Sequence, residues 1–424
     1  MRLILINPHT FAYGKTVSAF IFKKRAPLKY DFLCEFFIKN KERNTAFYID
    51  GTRTSFNISW PFFPKVFSYA ELLFWMVINK INPFKIKVYF DINELNPKED
   101  VLFTFSRSII NVNKKNQAQL KINQFKGIIF IHLTHYFQEI RKLSQYLNTL
   151  HHYVAVAEND LSKNPFFSNH FPNIDKVYQL PYAFSERFVA KVTDYDKRIN
   201  KCMAMGTMCP VVEPDFFKFF GKDIDLQPMR RRIFQNSKRF ALEIDSLIKE
   251  FKEIKNIKKI ESGDSLAVKL VKKILPYVFL EKILPAPQKK YFQFDIVEKY
   301  NQYKMFVCPE EIIGLPSINT FEGMACQNAY LGIDSPMFTN IGMKHGEHYI
   351  SYEENNLDDL VSKIRYYQNH PEELKKIAQE GYKLVHQNFS RKKVADKFWQ
   401  DLVEISNNFK QNNKVSIHCS FEKK

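Results

Sequence analysis

The strongest constraint on the fold is an alternation of short apolar segments with polar, helix-like ones along the first half of the chain. The apolar segments are rich in Ile, Val, Phe and Tyr, and they are Arg2–Asn7, Thr45–Ile49, Lys85–Ile92, Val101–Phe105, Gly127–Leu133 and Tyr153–Val156. Helix-like stretches such as Tyr136–Leu150 lie between them. The alternation predicts an α/β unit with a mainly parallel, doubly wound sheet that is covered on both faces.

A second unit of the same kind is predicted to begin at Asn200–Met205, a strand-like run closed by Gly206 and Thr207. The pattern then blurs, and we expect a helical insertion over about residues 214–290, with helix through Met229–Ile257. Leu266–Leu284 alternates apolar residues with lysines. Such a segment either packs on the domain, which we favour, or rests on a membrane surface.

One later stretch carries most of the functional information. The apolar run Lys304–Cys308 leads into Glu310 and Glu311, and a Gly-Leu-Pro-Ser turn then precedes a predicted helix, Ile318–Asn328. Ser317 is a candidate N-cap for that helix, and Glu322 lies near its start. A strand, a tight loop and a helix N-terminus together form a cradle for an anion, because free amide hydrogens and the helix dipole point to one place.

The loop and the Glu-Gly-Met-Ala-Cys sequence that begins at Glu322 resemble the donor-binding region of GT-B glycosyltransferases of the group 1, family-four-like type. The resemblance continues through 346–367 and 369–390 and covers about the C-terminal third of the chain. Two features depart from the family pattern. Ten residues separate Glu311 from Glu322 where relatives have seven between their glutamates, and Gln327 stands where relatives have glycine.

The resemblance implies two doubly wound parallel-sheet domains that face a central cleft. Residues 1–185 would form the acceptor-side domain and 186–390 the nucleotide-sugar-binding domain. Residues 391–424 would supply a helix that crosses back to the first domain, followed by a polar tail. The predicted last helix, Arg391–Ile405, has an apolar face at helical spacing that includes Phe398 and Leu402.

The resemblance also assigns residues to the site. An arginine or lysine after the first strand of the second domain would bind the donor phosphates, and Arg231 in the triplet 230–232 is our choice, although a solvated helix face explains most such triplets. Glu322 would hold ribose hydroxyls, and either Glu310 or Glu311 would contact the sugar. The implied donor-binding residues are Gly206, Thr207, Arg231, Glu310, Pro316, Ser317, Thr320, Phe321 and Glu322, and Glu311 is assigned a catalytic role.

Two histidines complete the predicted catalytic set. His132 and His135 lie at the end of the fifth predicted strand, where the carboxyl edge of a parallel sheet faces the ligand crevice. An imidazole there could orient the acceptor hydroxyl or contact the donor sugar. A core histidine is the alternative, and the pair of histidines favours the functional interpretation slightly.

The chain is strongly basic, with 63 Lys and Arg against 45 Asp and Glu and a formal net charge of +18. Candidate partners are a nucleotide-diphosphate sugar, an anionic membrane surface carrying a lipid-linked acceptor, and nucleic acid. Because the lysines are spread along the whole chain, nucleic acid is disfavoured. The aromatic-rich stretch Trp60–Phe84 could hold the protein near a bilayer.

Other sequence features bound the setting. No secretory signal is recognisable, and the longest apolar stretch, about Tyr69–Ile78, is too short to span a bilayer. Six cysteines lack metal or disulfide spacing, which favours buried thiols in a reducing compartment. We therefore predict a cytoplasmic protein, on the inner face of the membrane if it is peripheral, with no cofactor and no metal.

These observations predict a glycosyltransferase that moves a sugar, by resemblance a hexose, from a nucleotide-diphosphate donor to a saccharide or lipid-linked acceptor. Retention of the anomeric configuration and a role in cell-surface polysaccharide synthesis are the finer expectations. An epimerase or a phosphorylase on the same fold is the first alternative. A basic nucleic-acid-binding protein is the second.

Overall fold

The structure is a computed structural model. It describes residues 1–10, 17, 31–38, 44–51, 64–109, 122–133, 136–137, 139–191, 194–208, 214–221, 225–250, 295–312, 314–412 and 417. Two sequence predictions, His135 and the lysine-rich segment Leu266–Leu284, therefore lie outside the described residues.

Seven strands form a parallel sheet in the first half of the described chain. They are β1 (Arg2–Ile6), β2 (Thr45–Tyr48), β3 (Lys87–Tyr89), β4 (Asp100–Phe105), β5 (Ile129–His132), β6 (Tyr153–Ala157) and β7 (Tyr178–Gln179). Their order is β3-β2-β1-β4-β5-β6-β7, so the direction of winding reverses between β1 and β4. Each of the six apolar segments predicted as strands overlaps one of these strands, and β4 and β6 extend one residue beyond their predicted segments.

The central strands are buried along their whole length, which explains why the sequence pattern was continuous rather than alternating. Every residue of β2, β4 and β5 is buried. A strand can be apolar throughout only if helices cover both faces of its sheet. The doubly wound arrangement predicted from the sequence is confirmed.

A second parallel sheet of five strands follows among the described residues. The strands are β8 (Ile199–Ala204), β10 (Ile244–Ser246), β12 (Tyr303–Val307), β13 (Ala329–Ile333) and β14 (Ile350–Tyr352), in the order β10-β8-β12-β13-β14. Two short strands, β9 (Thr207–Met208) and β11 (Lys249–Glu250), pair beside it. The direction of winding reverses between β8 and β12, which creates a switch point there.

The prediction of continuous helix through Met229–Ile257 is wrong in its described part. The helix ends at Gln235, and β10 follows as the outer neighbour of β8. Ile244 in β10 is buried beside Cys202 of β8, so tertiary packing outweighs the helical pattern of this segment.

Thirteen α-helices are described along with the sheets, and several are a single turn. They are α1 (Glu35–Ile38), α2 (Pro64–Ile78), α3 (Ser106–Ile109), α4 (Ile140–Leu147), α5 (Pro165–His170), α6 (Pro214–Phe220), α7 (Pro228–Gln235), α8 (Ile296–Gln302), α9 (Ile318–Ala325), α10 (Pro336–Thr339), α11 (Leu357–Asn369), α12 (Pro371–Asn388) and α13 (Arg391–Asn412). None of these helices combines the length and the apolar character needed to cross a membrane.

The last helix, α13, crosses back from the second lobe to the first. The ring of Phe398 packs against Phe103 and Phe130, with centroids 5.6 and 6.2 Å away, and these two residues belong to central strands of the first sheet. Leu402 and Ile405, on the two turns that follow Phe398, are buried as well. Three successive turns of α13 therefore each place one apolar side chain in the core. The crossover predicted from the sequence is confirmed, and the helix runs seven residues beyond its predicted end at Ile405. The domain boundaries at 185/186 and 390/391 stay predictions.

The two lobes also meet through a second contact, between α4 and α5 of the first lobe and α6. Phe166 of α5 lies 5.4 Å, between ring centroids, from both Phe219 and Phe220 of α6. Arg141 of α4 forms an ion pair with Asp215 of α6 at 2.7 Å. These contacts hold the carboxyl edges of the two sheets close together and define the crevice between them.

Candidate functional site

The switch point of the second sheet is held together by one buried arginine. Arg230 of α7 donates from Nε to the carbonyl of Pro309, just beyond β12, at 2.8 Å. It donates from a terminal nitrogen to the carbonyl of Thr207, just beyond β8, at 2.9 Å. Pro309 follows β12 and Thr207, in the short strand β9, follows β8, so Arg230 links the carboxyl ends of two neighbouring strands at the floor of the crevice.

Gly206 is required by this arginine. Its φ is +142°, and a Cβ placed on it would lie 2.8 Å from Nε of Arg230. Any larger residue would displace the guanidinium. The sequence predicted that Gly206 and Thr207 bind the donor, and the structure gives both a local reason: Gly206 makes room for Arg230 and Thr207 supplies its acceptor.

The loop after β12 faces the first lobe. Its backbone is fixed by a hydrogen bond from the amide of Ile312 to the carbonyl of Leu226 (2.9 Å) and by a turn in which Gly314 donates to Glu311 (2.7 Å). Gly314 adopts a φ of +69°, which favours glycine. Ile312 and Leu315 pack against the apolar cluster of the first lobe that includes Tyr136. The Gly-Leu-Pro turn therefore projects into the gap between the lobes.

Helix α9 begins directly after this turn with an uncapped N-terminus. Ser317 occupies the N-cap position, but its side chain makes no capping hydrogen bond, so the predicted capping role is wrong. Its hydroxyl instead donates to Sγ of Cys308 at 3.4 Å. The amide of Thr320 donates to the carbonyl of Ser317 at 3.1 Å. The first amides of a helix, here those of Ile318 and Asn319, have no carbonyl one turn back, which makes them suitable donors to an anion.

Glu322 lies one turn into α9 with its side chain mostly withdrawn from solvent, at 9% exposure. Burial raises the pKa of Tyr300 well above its ordinary value, and the nearby charge of Glu322 adds to that rise. Arg187, on the segment that joins the lobes, opposes it. Glu322 thus lies in an environment shared with Tyr300 and Arg187, and sequence reasoning did not single out Arg187.

The two adjacent carboxylates, which the sequence left as alternatives, point in different directions. Glu310 turns into the second lobe, where it accepts hydrogen bonds from the hydroxyls of Tyr330 (2.6 Å) and Tyr352 (3.4 Å). Glu311 lies at the surface of the crevice and accepts a hydrogen bond from Gln227 at 3.2 Å. Burial raises the pKa of Tyr136 in the first lobe, and the charge of Glu311 raises it further. Of the two carboxylates, Glu311 is therefore the one whose charge is felt by Tyr136 of the first lobe.

The buried position of Glu310 changes its titration. Burial raises its pKa from 4.5 to about 7, and the two tyrosine hydrogen bonds and the charge of Arg230 offset only part of that effect. Desolvation disfavours the charged form of a carboxyl group, which accounts for the direction. Through Tyr330 and Tyr352, Glu310 ties the start of the loop to β13 and β14.

Other predicted donor-binding side chains have structural partners. Arg231 forms ion pairs with Asp225 and with Glu250 (3.2 Å), so two carboxylates already balance its charge. Phe321 is buried, with its ring 4.9 Å from that of Phe389. Thr320 and Pro316 are buried at the base of the same loop and helix. These side chains pack the loop and the start of α9, and their predicted role in donor binding stays a prediction.

His132 stands at the carboxyl end of β5, as predicted, but its ring is fully buried and lies 5.2 Å from that of Phe105. This position suits packing at the crevice floor better than contact with an acceptor. His135 lies outside the described residues, and both catalytic assignments stay predictions. His9, after β1, is also buried, with its Nε2 2.9 Å from the hydroxyl of Ser68.

Within the described part of the chain, no three His, Cys, Asp or Glu side chains are grouped so that they could hold a metal ion. The described cysteines Cys202, Cys308 and Cys326 are buried free thiols. Burial raises the pKa of Cys326 to about 12, so this thiol stays protonated. The prediction that the protein uses no metal or cofactor stays a prediction.

Comparison with known proteins gives one match in sequence. Residues 287–400 match a family model described as glycosyl transferase-like. The match covers the loop after β12, α9 and the following elements up to the first part of α13. It confirms the resemblance to glycosyltransferases that the sequence suggested for this third of the chain. No curated protein is detectably similar to the chain.

Several solved structures resemble the whole chain at low identity. HepE from Anabaena, in complex with UDP, is 11% identical, with 95% of this chain and 99% of that chain covered and a TM-score of 0.49. A glycosyltransferase from Rickettsia africae is 13% identical, with 97% and 99% covered and a TM-score of 0.48. A sucrose-phosphate synthase from Thermosynechococcus elongatus is 9% identical, with 96% and 100% covered and a TM-score of 0.48. The two facing parallel sheets and the returning helix α13 are themselves the GT-B arrangement.

Proposed function

We propose that this protein is a glycosyltransferase that transfers a sugar from a nucleotide-diphosphate donor to a hydroxyl group of a saccharide or lipid-linked acceptor. The observation that carries the proposal is the position of the glycosyl transferase-like loop and helix. They lie at the switch point of the second sheet and face the first lobe. Ligands of open α/β sheets bind at such points.

The proposed donor site uses backbone and side-chain groups of the second lobe. The uncapped start of α9 would bind the diphosphate, because its amide hydrogens and the helix dipole favour negative charge. Glu322, one turn further on, would accept hydrogen bonds from ribose hydroxyls. Arg187 is a candidate cation for the same region, in place of Arg231, whose charge Asp225 and Glu250 already balance.

We propose that the sugar is transferred with retention of its anomeric configuration. The acceptor hydroxyl would attack the anomeric carbon from the same face that the donor phosphate leaves. The bond between the anomeric carbon and the phosphate oxygen breaks, the acceptor oxygen bonds to that carbon, and the acceptor proton passes to the departing phosphate. The helix N-terminus would stabilise the charge that grows on the phosphate. Glu311, rather than Glu310, would face the sugar, because Glu310 is held by Tyr330 and Tyr352.

Hexose as the sugar, cell-surface polysaccharide synthesis and an anionic membrane surface as partner belong to the same proposal. HepE is described in complex with UDP-glucose, and an alpha-glucosyltransferase is described in complex with UDP. For this chain, a uridine donor is therefore the first to test. A soluble or peripheral protein in the cytoplasm would have access to such a donor.

A thermal-shift comparison of UDP, GDP, CMP and ADP tests the proposal. We expect one nucleoside diphosphate to raise the melting temperature, as a ligand does when it binds only the folded state. Glu322→Ala should remove that shift, and Glu298→Ala, on the exposed side of the neighbouring helix α8, should leave it unchanged. A protein stabilised by none of the four nucleotides would contradict the proposal.

The second class of function has its own measurement. Binding of a random oligonucleotide that weakens steeply with salt, in the absence of any nucleotide effect, would favour the nucleic-acid alternative. We expect no such binding, because the lysines are spread along the whole chain instead of being gathered on one module.

A further inference from the structure

Helix α2 of the first lobe is apolar on both of its faces. Its inner face buries Leu72, Trp75 and Met76 in the core of the lobe. Its outer face exposes Val66 at 63% and Val77 at 62%. Large side chains are exposed beside these valines, and they are Phe67, Tyr69 and Phe74.

This outer face lacks the charged residues that a helix normally presents to water. Between Val66 and Ile78 the only charged side chain is Glu71, and it is buried on the inner side. A contiguous apolar patch on a soluble protein marks a surface that contacts another apolar phase or partner. The outer face of α2 is therefore an interaction surface.

The patch extends to the turn that follows α2. Phe84 lies in the short helical turn Pro83–Lys85, where the side chain of Asn82 accepts a hydrogen bond from the amide of Phe84. Phe84 is 97% exposed, so its ring projects from the surface. A protruding aromatic ring on a structured turn is suited to insertion into the boundary between headgroups and acyl chains.

Exposed lysines lie at both ends of the patch. Lys65 is the second residue of α2, and Lys80, Lys85 and Lys87 follow its last turn; all four are exposed. Apolar side chains bordered by lysines match the chemistry of an anionic bilayer surface. Two copies of the chain would instead bring these lysines together, which disfavours self-association through this face.

The position of α2 relates the patch to the crevice. Its first turn packs against Gly51, just beyond the carboxyl end of β2, where the Cγ of Lys65 approaches closely. Ser68 lies 2.9 Å from His9, just beyond the carboxyl end of β1. The helix therefore starts at the edge of the first sheet that borders the crevice and runs away from it.

We propose that the outer face of α2, together with the Phe84 turn, docks the protein on a bilayer rich in anionic phospholipid. The lysines contact the headgroups and the apolar side chains enter the interface. Docking on this face holds the crevice edge of the first lobe next to the membrane. The second part of the proposal rests on the proposed function: the acceptor then reaches the crevice as a lipid-linked molecule.

The test is sedimentation with sucrose-loaded vesicles of phosphatidylcholine, with and without phosphatidylglycerol. We expect the protein to bind the anionic vesicles and to be released by high salt. The double variant Val66→Glu, Val77→Glu should lower the partition coefficient by about tenfold or more, because it places carboxylates in the patch. Phe84→Ser should lower it by a smaller factor.

Leu242→Glu is the matched control, because Leu242 is 80% exposed on the second lobe. It should bind vesicles like the unmodified protein. Equal binding of the α2 double variant, or no binding to anionic vesicles, would overturn the proposal. So would a dimer in sedimentation equilibrium that the α2 double variant converts to a monomer, because the occupant would then be a second copy.

The readout is independent of the proposed activity. Thermal shifts with UDP, measured without vesicles, report the donor site and should be the same for the α2 variants and the unmodified protein. They also show that the variants are folded. If an α2 variant no longer binds vesicles but keeps the normal thermal shift with UDP, the result bears only on the proposed membrane surface. If the protein binds vesicles but shows no thermal shift with UDP, the result bears only on the proposed donor site.

Discussion

Replacement of the buried carboxyl group of Glu310 should make the protein more stable at alkaline pH. Burial raises the pKa of Glu310 from 4.5 to about 7. The folded protein therefore holds this proton between pH 4.5 and about 7, whereas the unfolded chain has released it. Unfolding then releases a proton, so stability falls as the pH rises across this window and stays low above it.

The size of the effect follows from the same shift. Each unit of pKa corresponds to about 1.4 kcal/mol, so the ionised carboxylate costs about 3 kcal/mol above pH 7. Glu310→Gln removes this cost and keeps the shape of the side chain and its hydrogen-bonding capacity toward Tyr330 and Tyr352. For a cooperative unit of 150–250 residues, about 3 kcal/mol corresponds to a melting temperature higher by roughly 6–12 °C.

The assay is the difference in melting temperature between Glu310→Gln and the unmodified protein, measured from pH 5 to pH 9. We expect a small difference at pH 5, where the carboxyl group is neutral, and a growing advantage for the variant up to about pH 8. Glu311→Gln is the matched control. The carboxylate of Glu311 is next in sequence to that of Glu310 but lies at the crevice surface, so the Glu311→Gln variant should not show the pH-dependent gain in melting temperature. A difference for Glu310→Gln that is independent of pH would refute the reasoning.

Two further predictions concern packing. Asp401→Ala should lower the free energy of unfolding, measured in urea, by about 1–3 kcal/mol, because it removes the carboxylate that accepts the hydrogen bond of the buried Tyr178 hydroxyl. A double variant that adds Tyr178→Phe should lose less stability than the sum of the two single variants. Strict additivity would contradict the pairing. Gly323→Ala should cost about 1–3 kcal/mol, because a Cβ there would lie 2.3 Å from the ring of Phe306; a gain in stability from the better helix former would show that this ring moves aside.

Strand positions in the first lobe were predictable because the signal is local and repeated. In segments such as Val101–Phe105, Thr104 is the one polar residue among five, and a short apolar run of this kind is typical of a strand buried on both faces. The prediction of helix through Met229–Ile257 was wrong in its described part because the deciding interaction there is not local. Its sequence favours helix, but the outer edge of β8 was open for pairing, and Ile244 fills it. Which edge of a sheet is open is a property of the tertiary structure and cannot be read from a segment alone.

The position of the candidate site was predictable, but the partners of its side chains were not. A glycine-containing turn between a strand and a helix fixes where the backbone goes, so the place of residues 309–322 followed from the sequence. The direction of Glu310 depends on Tyr330 and Tyr352, which lie on the next two strands of the sheet. The pairing of Arg231 depends on Asp225 and Glu250 in the same way. Such contacts form only after folding, and no spacing in the sequence reports them.

Within the stretch that matches the glycosyl transferase-like model, several side chains serve mainly to pack the fold. Gly323 makes room for Phe306, and Phe321 packs on Phe389. Gly206, outside that stretch, makes room for Arg230. Each keeps the loop and the start of α9 in place without contacting the crevice. If the donor is bound mainly by backbone amides of that loop, changes at these packing positions should weaken donor binding only as far as they loosen the loop. A change at Glu322 should weaken donor binding by more than its loss of stability explains, because Glu322 is proposed to contact the donor, and that contrast separates the two kinds of residue.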